Sequence, residues 1–476
     1  MTHVDIALIG SGSANSLPGP EFADRRIVQI DRGVGPDRVF GGTCLNLGCI
    51  PTKMFVHTAD LAHAAQDGPR FGVRTRADGA DWPAIRDRIF GRIDPIAAGG
   101  EEYRRSHPDN DNLTLLRGTA RLLSPTELEV TTTDGGVEHI TADTVVIGAG
   151  SRPQIPDIPG LADADPQTSD TIMRRDTLPR SVLILGSGVI AAEFAHVLSA
   201  LGVEVTILAR SDRLLRRADA DVSARFTEVT AQRMSVRTDV QVRSVERRPD
   251  GTVHLSGHDR TGPLELEAEE ILVAAGRTPN TDLLGAREAG LDLHPDGRLV
   301  VDAFQRAQAA GRPLGTTWAF GDVSDPHQLK HVANHQLRIV RHNLLHPEEL
   351  RRSDTMPVPA AVFSHPQVAT VGLTEAQARV AGRDVRVAVQ EYAGIAYGWA
   401  LEDTTGFAKL IADADGTLLG AHIIGHEAAT LIQQLVQAMS TGQRVQDIAR
   451  TQYWIHPALP ELLENALLQL TDAHGG

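Results

Sequence analysis

Residues 41–53 read Gly41-Gly42-Thr43-Cys44-Leu45-Asn46-Leu47-Gly48-Cys49-Ile50-Pro51-Thr52-Lys53 and hold both cysteines of the chain. Four residues separate the two thiols, so a bond between them would close too short a loop to add much stability. Thiols this close can instead open and close as a local two-electron switch. An ideal helix would hold them somewhat too far apart for a disulfide, and Gly48 would allow the needed distortion. The alternatives are two buried reduced thiols or half of a metal site.

The residues after the second thiol predict a helix. Pro51 is typical of a first helical turn, and the helix is expected to continue from Thr52 to Ala62. Cys49 would then lie near the helix N-terminus, where the helix dipole lowers the pKa of a thiol. No further cysteine exists to complete a thiolate cage, so no metal centre is expected.

Working outward, the N-terminal segment has the pattern of a dinucleotide-binding unit. An apolar strand at residues 4–9 leads into Gly10-Ser11-Gly12, and a second strand ends at Asp31, about 20 residues after the first glycine. Gly10 permits a tight turn, Gly12 lets the backbone approach a pyrophosphate, and Asp31 would accept hydrogen bonds from ribose hydroxyls. Prolines at positions 18 and 20 interrupt the helix expected there, so this match alone could be only a glycine-rich turn.

A second copy of the pattern makes the first more credible. A strand at residues 181–185 leads into Gly186-Ser187-Gly188, followed by a helical pattern to Leu198 and a strand at residues 203–208. Two such units in one chain predict two dinucleotide sites and an α/β fold.

Composition excludes several classes of partner. The 476-residue chain is long enough for two to four domains, and its net charge is 46 − 61 = −15 with scattered acidic residues, which argues against nucleic acid or an anionic membrane surface. No apolar run reaches membrane length, and the N-terminus lacks the pattern of a signal peptide. Two cysteines in so long a chain are typical of a reducing compartment, so we expect a cytoplasmic protein.

Taken as a whole, GGTCxNxGCIPTK resembles the active-site segment of the flavin-dependent pyridine nucleotide–disulfide oxidoreductases. The family's other motifs follow in its order: the second nucleotide unit, Gly321-Asp322 after a strand, and His456-Pro457 with Glu461 near the C-terminus. The resemblance implies two Rossmann-like dinucleotide-binding domains, for FAD and NADPH, and a C-terminal α+β dimerisation domain. The expected limits are 1–152 and 282–347 for the FAD domain, 153–281 for the NADPH domain and 348–476 for the interface domain.

The same resemblance implies which residues bind the cofactors. They are the glycines of both nucleotide units and of the redox segment, the closing glycines of each domain, and the polar residues around them: Gly10, Gly12, Asp31, Gly42, Thr43, Lys53, Gly150, Gly186, Gly188, Glu193, Arg210, Arg216, Gly276 and Asp322. NADPH is expected as the donor because Ala209 stands where an NAD site carries an acid, and Arg210 and Arg216 could bind a 2′-phosphate. The alternative is a solvated basic turn.

The catalytic set is also taken from the resemblance. Cys49 would lie next to the flavin, and Cys44 would attack the substrate disulfide. His456, oriented by Glu461, would exchange protons with that disulfide across the interface of a homodimer, and imidazole suits this task near neutral pH. Lys53 and Glu193 would form an ion pair beside the flavin. The alternatives are a loop with a helix cap for His456 and Glu461, and a solvated lysine. His331, His365 and His426 are expected to be surface or satisfied histidines.

The expected substrate is the small-molecule disulfide mycothione, the oxidised form of a thiol built on a pseudodisaccharide. Residues 42–56, the proline-rich interruption and the ending HPALPE resemble the branch of the family that reduces it. Glutathione reductases hold a substrate carboxylate with an arginine from the helix after the first glycine turn, and that place falls near Pro20, where no cation is expected. The alternatives are a reductase of the glutathione or lipoamide type, or a nucleotide-binding redox sensor without turnover.

Overall fold

The computed structural model describes residues 1–472. Its strands, numbered in chain order, are β1 (Thr2–Ile9), β2 (Ile27–Asp31), β3 (Leu113–Ser124), β4 (Glu127–Thr132), β5 (Val137–Ile147), β6 (Ser151–Pro153), β7 (Ser181–Leu185), β8 (Glu204–Leu208), β9 (Ser235–Arg237), β10 (Gln241–Arg247), β11 (Val253–Asp259), β12 (Gly262–Ala268), β13 (Glu270–Val273), β14 (Arg277–Pro279), β15 (Arg306–Ala309), β16 (Arg312–Ala319), β17 (Pro359–Val362), β18 (Gln367–Gly372), β19 (Val385–Glu391), β20 (Phe407–Asp413) and β21 (Leu418–Gly425). Its α-helices are α1 (Gly42–Asn46), α2 (Cys49–Asp67), α3 (Trp82–Ser106), α4 (Val189–Ala200), α5 (Ala220–Arg233), α6 (Lys330–Leu345), α7 (Glu375–Val380), α8 (Ala396–Leu401), α9 (Ala428–Ser440), α10 (Val445–Arg450) and α11 (Glu461–Asp472).

The first sheet is built around β1, whose apolar residues are buried as expected for the centre of a parallel sheet. β1 pairs in parallel with β2 on one side and with β5 on the other, and β3 and β16 extend the parallel arrangement outward. β4 joins β3 to β5 by antiparallel pairing, and β15 forms an antiparallel edge beside β16. Residues 306–319 therefore return to the sheet that the N-terminal residues begin.

The segment after β1 departs from a regular helix, as its prolines predict. It forms two short 3₁₀ turns, Ser13–Ser16 and Pro20–Phe22, instead of one α-helix. Proline lacks a backbone N–H and its ring clashes with the preceding turn, so Pro18 and Pro20 prevent continuous α-helical hydrogen bonding here.

The second nucleotide unit is regular. β13, β7, β8 and β9 form a parallel sheet, and α4 connects β7 to β8. The backbone turns at Gly202, whose φ of +94° lies in the region that favours glycine, just after α4 ends. β10, β11 and β12 form a separate antiparallel sheet within the same stretch of chain.

The C-terminal part is an antiparallel sheet with helices packed on it. Its strand order is β17-β18-β21-β20-β19, and α9 and α11 share a hydrophobic core with β20 and β21. α7 begins with a capping box, in which Thr374 and Gln377 satisfy each other's backbone N–H groups. The fold class predicted from the sequence is therefore confirmed. The limits of the four domain segments stay a prediction.

Helix α2 connects the three parts of the chain. Phe55, Val56 and Ala59 on α2 share one hydrophobic core with Phe194 and other residues of α4, and Val362 at the end of β17 belongs to the same core. This packing fixes how the residues on α2 face the rest of the molecule. Among residues 1–472, no helix combines the length and apolar character needed to cross a membrane.

Candidate active site

The redox segment folds into two helices separated by Gly48. Cys44 lies within α1, and Cys49 is the first residue of α2, where the dipole of a 19-residue helix favours a thiolate. Both cysteines are free thiols in this structure. The break at Gly48 brings their side chains into hydrogen-bond contact, as the spacing argument required.

The two thiols are electrostatically unequal. The hydrogen bond with Cys44 lowers the pKa of Cys49 to about 7. The same hydrogen bond and burial raise the pKa of Cys44 well above its ordinary value. The positive charge of Lys330 favours the thiolate form of both cysteines, but at Cys44 it only partly offsets the effects that raise the pKa. Cys49 is therefore the thiolate of the pair, and Cys44 holds the proton.

The first glycine turn packs directly against the redox segment. Gly42 has a φ of +77°, and a Cβ atom there would lie 2.4 Å from the Cα atom of Gly12. The Gly41 N–H donates a 2.8 Å hydrogen bond to Ser11 Oγ, which fixes the same approach from the other side. Thr43 follows as part of α1 and is half-buried. A group held by the glycine turn would thus lie next to the segment that carries Cys44 and Cys49.

Asp31 ends β2 beside this turn, as expected of a ribose-binding carboxylate. It is buried and accepts a 3.0 Å hydrogen bond from the Gly33 N–H. Burial raises its pKa, and a hydrogen bond with Ser11 acts in the opposite direction. At Gly10, φ is +108° and a Cβ atom would lie 2.4 Å from the Gly148 carbonyl oxygen. Only glycine therefore lets β1 and β5 close the turn this tightly.

Asp322 follows β16 at the other side of the sheet's carboxyl edge. It accepts a 2.6 Å hydrogen bond from Ser151 Oγ, and Arg277 Nε donates to the same hydroxyl at 2.7 Å. Gly150, at the end of the preceding segment, has a φ of +66° with open space where a side chain would be. The ribitol role of Asp322 stays a prediction, and Ser151 is a neighbour that the sequence did not indicate.

Lys53 lies on the face of α2 that points toward α4. Its Nζ atom is 3.9 Å from Glu193 Oε1 and 2.9 Å from the centre of the Phe363 ring. The Phe363 N–H donates a 2.9 Å hydrogen bond to the same Glu193 oxygen. Burial lowers the pKa of Lys53 to about 8 and raises the pKa of Glu193, although their opposite charges act against both shifts. The structure thus brings together the predicted pair and adds Phe363.

The Lys53 ammonium is also the best test of whether a flavin fits. Its Nζ atom is buried and has no hydrogen-bond partner among residues 1–472. A buried cation without an acceptor is costly, so the site calls for an acceptor from outside the chain. A flavin ring nitrogen is such an acceptor, and the glycine approach at Gly12 and Gly42 leaves room for the attached pyrophosphate. The residues present fit FAD.

Lys330 and Ser13 form a further polar contact that sequence reasoning missed. Lys330 Nζ donates a 2.9 Å hydrogen bond to Ser13 Oγ, and Ser13 donates to Asn334 at 2.9 Å. Lys330 is the first residue of α6, which starts shortly after Asp322. Its only signal in the sequence is a lysine at a helix start, which is too common to single out.

The second glycine turn is arranged to receive a nucleotide. Gly186 and Gly188 precede α4, and the Ser187 carbonyl accepts a 2.8 Å hydrogen bond from the Leu215 N–H. This contact brings the loop at residues 209–217 against the turn. Arg210 and Arg216 are exposed there and have no hydrogen bond or ion pair within residues 1–472, so both guanidinium groups are free for a phosphate. Gly276 closes the unit next to Gln154.

His456 and Glu461 are paired as predicted. His456 Nδ1 lies 2.5 Å from Glu461 Oε1, and Glu461 is the first residue of α11. The His456 side chain is 69% exposed. Among residues 1–472, no hydrogen bond or ion pair joins His456 to Cys44 or Cys49. Tyr453 and Ile455 beside it are also strongly exposed.

Comparisons with known proteins cover almost the whole chain. The family described as "Pyridine nucleotide-disulphide oxidoreductase" matches residues 4–337, and its dimerisation domain matches residues 358–467. A mycothione reductase of Mycobacterium tuberculosis (strain CDC 1551 / Oshkosh) is 47% identical over 478 residues, which cover 99% of this chain and 100% of the relative. A dihydrolipoyl dehydrogenase of Mycobacterium bovis is 33% identical over 98% of this chain and 97% of the relative.

Among solved structures, a similar fold occurs in a Cu(II) complex of the HOCl-induced flavoprotein disulfide reductase RclA from Escherichia coli. The TM-score is 0.84 at 26% sequence identity, with 99% of this chain and 100% of that chain covered. The similarity therefore extends through all parts of the fold, including the C-terminal sheet.

Proposed function

This chain belongs to the pyridine nucleotide-disulphide oxidoreductase family, and on that premise we propose that it is a cytoplasmic, homodimeric reductase of mycothione that uses NADPH and FAD. The observation that carries the proposal is the 47% identity to a mycothione reductase over the full length of both chains. The alternative of a dihydrolipoyl dehydrogenase is less favoured, because that relative is 33% identical over a similar span.

The cysteines have distinct tasks in this proposal. Bound FAD would supply two-electron transfer between the nicotinamide and a disulfide. Cys49, with its pKa lowered to about 7, holds the thiolate next to the flavin. Cys44 attacks one sulfur of the substrate, forms a mixed disulfide and releases the first thiol. Cys49 then attacks Cys44, which releases the second thiol and leaves the Cys44–Cys49 disulfide.

The proton on Cys44 explains why the reaction needs a base. Cys44 carries a raised pKa and must lose its proton before it attacks. We assign this proton to His456 of the partner subunit, which would return it to the departing substrate thiolate. Glu461 fixes the ring tautomer through Nδ1 and stabilises the imidazolium form. Reduction of one disulfide to two thiols consumes two electrons and two protons in this sequence.

The substrate assignment also rests on charge. Glutathione disulfide carries carboxylates that call for a free cation, whereas mycothione offers hydroxyl groups. The sequence suggested no cation near Pro20, but Arg341 lies against Gly19. That arginine forms an ion pair with Glu21. A glutathione carboxylate at this position would have to compete with Glu21 for the Arg341 guanidinium.

Steady-state kinetics with NADPH and three disulfides tests the proposal. We expect kcat/KM for mycothione to exceed that for glutathione disulfide and for lipoamide by at least tenfold. Equal or better use of glutathione disulfide would reject the mycothione assignment and leave the general disulfide reductase. If none of the disulfides caused oxidation of NADPH by the FAD-loaded protein, the redox-sensor alternative would replace it.

A further inference from the structure

A second cluster of titratable side chains lies on α2, beyond the redox pair. His63 and Asp67 project from the last turns of this helix, and His365 comes from the connection between β17 and β18. His196 on α4 packs beside them. The cluster therefore lies where the N-terminal part, the second nucleotide unit and the C-terminal part of the chain meet, and the disulfide chemistry uses none of these histidines.

The side chains are close enough to share one ion. The ring centres of His63 and His365 are 4.0 Å apart, and His63 Nε2 lies 3.6 Å from Asp67 Oδ2. One ligand atom from each of His63, Asp67 and His365 lies within 4.8 Å of the other two. Four-residue spacing on a helix puts His63 and Asp67 on the same face, so the backbone already presents two ligands together.

We propose that His63, Asp67 and His365 form a binding site for a divalent transition-metal ion such as Zn²⁺. Two imidazoles and one carboxylate are ligands that this ion prefers, and three protein ligands leave one position for water. Around a tetrahedral ion with bonds of about 2.0–2.2 Å, ligand atoms stand roughly 3.3–3.6 Å apart. The observed separations therefore need only side-chain movements of about an ångström. The sequence did not indicate this centre because His365 is about 300 residues away from His63 and Asp67 along the chain.

Electrostatics around the cluster favour a cation. Asp60 and Asp67 supply two negative charges, and the Arg233 guanidinium, which donates a 2.5 Å hydrogen bond to the His365 carbonyl, supplies one positive charge. Part of the His365 ring reaches solvent, but the protein packed around the ring lowers its pKa, and the nearby His63 and Arg233 act in the same direction. Burial and Arg233 also lower the pKa of His63. A lowered pKa favours the neutral imidazole, which is the form that binds metals.

His196 is a neighbour rather than a ligand. It is 2% exposed, and its Nε2 lies 2.8 Å from Asp60 Oδ1. Its Nδ1 is buried without a partner among residues 1–472. The His196–Asp60 pair packs against the rings of His63 and His365 and limits their movement.

Zinc titration of the oxidised FAD-loaded enzyme tests this site. The reactive thiols must first be shown to be absent by a thiol assay, because a reduced cysteine pair would bind zinc itself. Competition with a chromophoric chelator at pH 7.5 should give one tightly bound Zn²⁺ per chain. Asp67→Asn, which preserves shape at a half-exposed position, should weaken this binding at least tenfold, and His63→Ala and His365→Ala should abolish it.

The matched control is His254→Ala, on a different sheet. His254 also pairs with a carboxylate, because its Nε2 atom lies 2.8 Å from Glu265 Oε2. Zinc binding should be unchanged in this variant. Flavin content and circular dichroism verify that each variant is folded. The proposal would be overturned if the wild-type enzyme failed to bind zinc. It would also be overturned if Asp67→Asn and His365→Ala bound zinc as tightly as the wild-type enzyme. Because the readout is binding to oxidised enzyme, it does not depend on which disulfide is the substrate.

Discussion

Cys44 and Cys49 share a hydrogen bond that raises the pKa of the first thiol and lowers that of the second to about 7. The bond depends on the break at Gly48, which lets α2 begin at Cys49 while Cys44 stays on α1. Cys49 is therefore more easily ionised to a nucleophilic thiolate, whereas Cys44 needs a base to remove its proton. This asymmetry has direct spectroscopic consequences.

The first prediction concerns which thiol faces the flavin. Cys44→Ser and Cys49→Ser should each lower disulfide reduction roughly a thousandfold or more while FAD stays bound, since other residues hold the cofactor. Only Cys44→Ser should keep the long-wavelength absorbance of a thiolate beside oxidised flavin. In that variant the band should grow as pH rises through the pKa of Cys49, because only the thiolate produces it.

Cys44→Ala supplies the matched control for the hydrogen bond. Serine retains a donor to Cys49 and alanine does not, so the absorbance should reach half its maximum at a higher pH in Cys44→Ala than in Cys44→Ser. Identical pH profiles would mean that Cys44 does not set the pKa of Cys49. Retention of the band by Cys49→Ser would reverse the assignment of the two thiols.

The second prediction concerns the proton carrier. Glu461→Gln keeps an oxygen for His456 Nδ1 but removes the charge that stabilises the imidazolium. In stopped-flow measurements, the rate at which NADPH reduces the enzyme should be unchanged. The rate at which the disulfide reoxidises the enzyme should fall roughly tenfold or more. His456→Ala should slow reoxidation by about 10²–10⁴-fold. His139→Ala, at another histidine–glutamate pair, is the control and should leave both half-reactions unchanged.

Subunit mixing then tests the dimer. A heterodimer of Cys44→Ser and His456→Ala chains contains one site with both lesions and one with neither, if His456 acts on the partner's disulfide. Such heterodimers should regain up to half of the wild-type activity. Verified heterodimers without activity would place the histidine and the disulfide of one site in the same chain.

The sequence predicted those parts of the fold and site that depend on local pattern. Apolar runs followed by glycine turns identified β1 and β7, and the redox motif identified Cys44, Cys49 and Lys53. Contacts between distant segments could not be found this way. Phe363 and Glu193 are 170 residues apart, and Ser151 and Asp322 are 171 apart, so their hydrogen bonds arise only when segments distant in sequence pack together. The Arg341–Glu21 pair, 320 residues apart, was missed for the same reason.

The third prediction concerns the nucleotide donor. Arg210 and Arg216 are exposed beside the second glycine turn and have no partner within residues 1–472. Arg210→Ala combined with Arg216→Ala should raise KM for NADPH by at least tenfold and change KM for NADH little, because only NADPH carries the 2′-phosphate. Arg217→Ala, an exposed neighbour, is the control. Equal use of NADH and NADPH by the wild-type enzyme would refute the assignment.

The last prediction concerns Lys409, a buried lysine that joins the second nucleotide unit to the C-terminal sheet. It is 2% exposed on β20, and its Nζ atom donates to Asp219 at 2.9 Å and Asp221 at 2.6 Å and lies 2.7 Å from Glu375. Burial disfavours its charge, but the three carboxylates outweigh that effect and raise its pKa. Asp219, also buried, caps α5 and has a lowered pKa. Lys409 should therefore remain charged throughout the neutral range.

Lys409→Met leaves the Asp219 charge buried without its partner, which costs about 3 kcal/mol, the lower end of the usual range because Asp221 and Glu375 remain partly solvated. Hydrogen exchange of the oxidised holoenzyme should accordingly become roughly a hundredfold faster at the start of α5 and in β20. Asp221→Asn, at a 60% exposed carboxylate, should change exchange far less. The difference in exchange rate between wild type and Lys409→Met should persist from about pH 5 to pH 9. Asp219 and Glu375 have pKa values that are lowered in the folded state. Their charges therefore stabilise the wild-type fold until the pH falls below about 4 and passes through these lowered pKa values. An unchanged exchange rate near Asp219 in Lys409→Met would show that this ion cluster does not hold the two parts of the chain together.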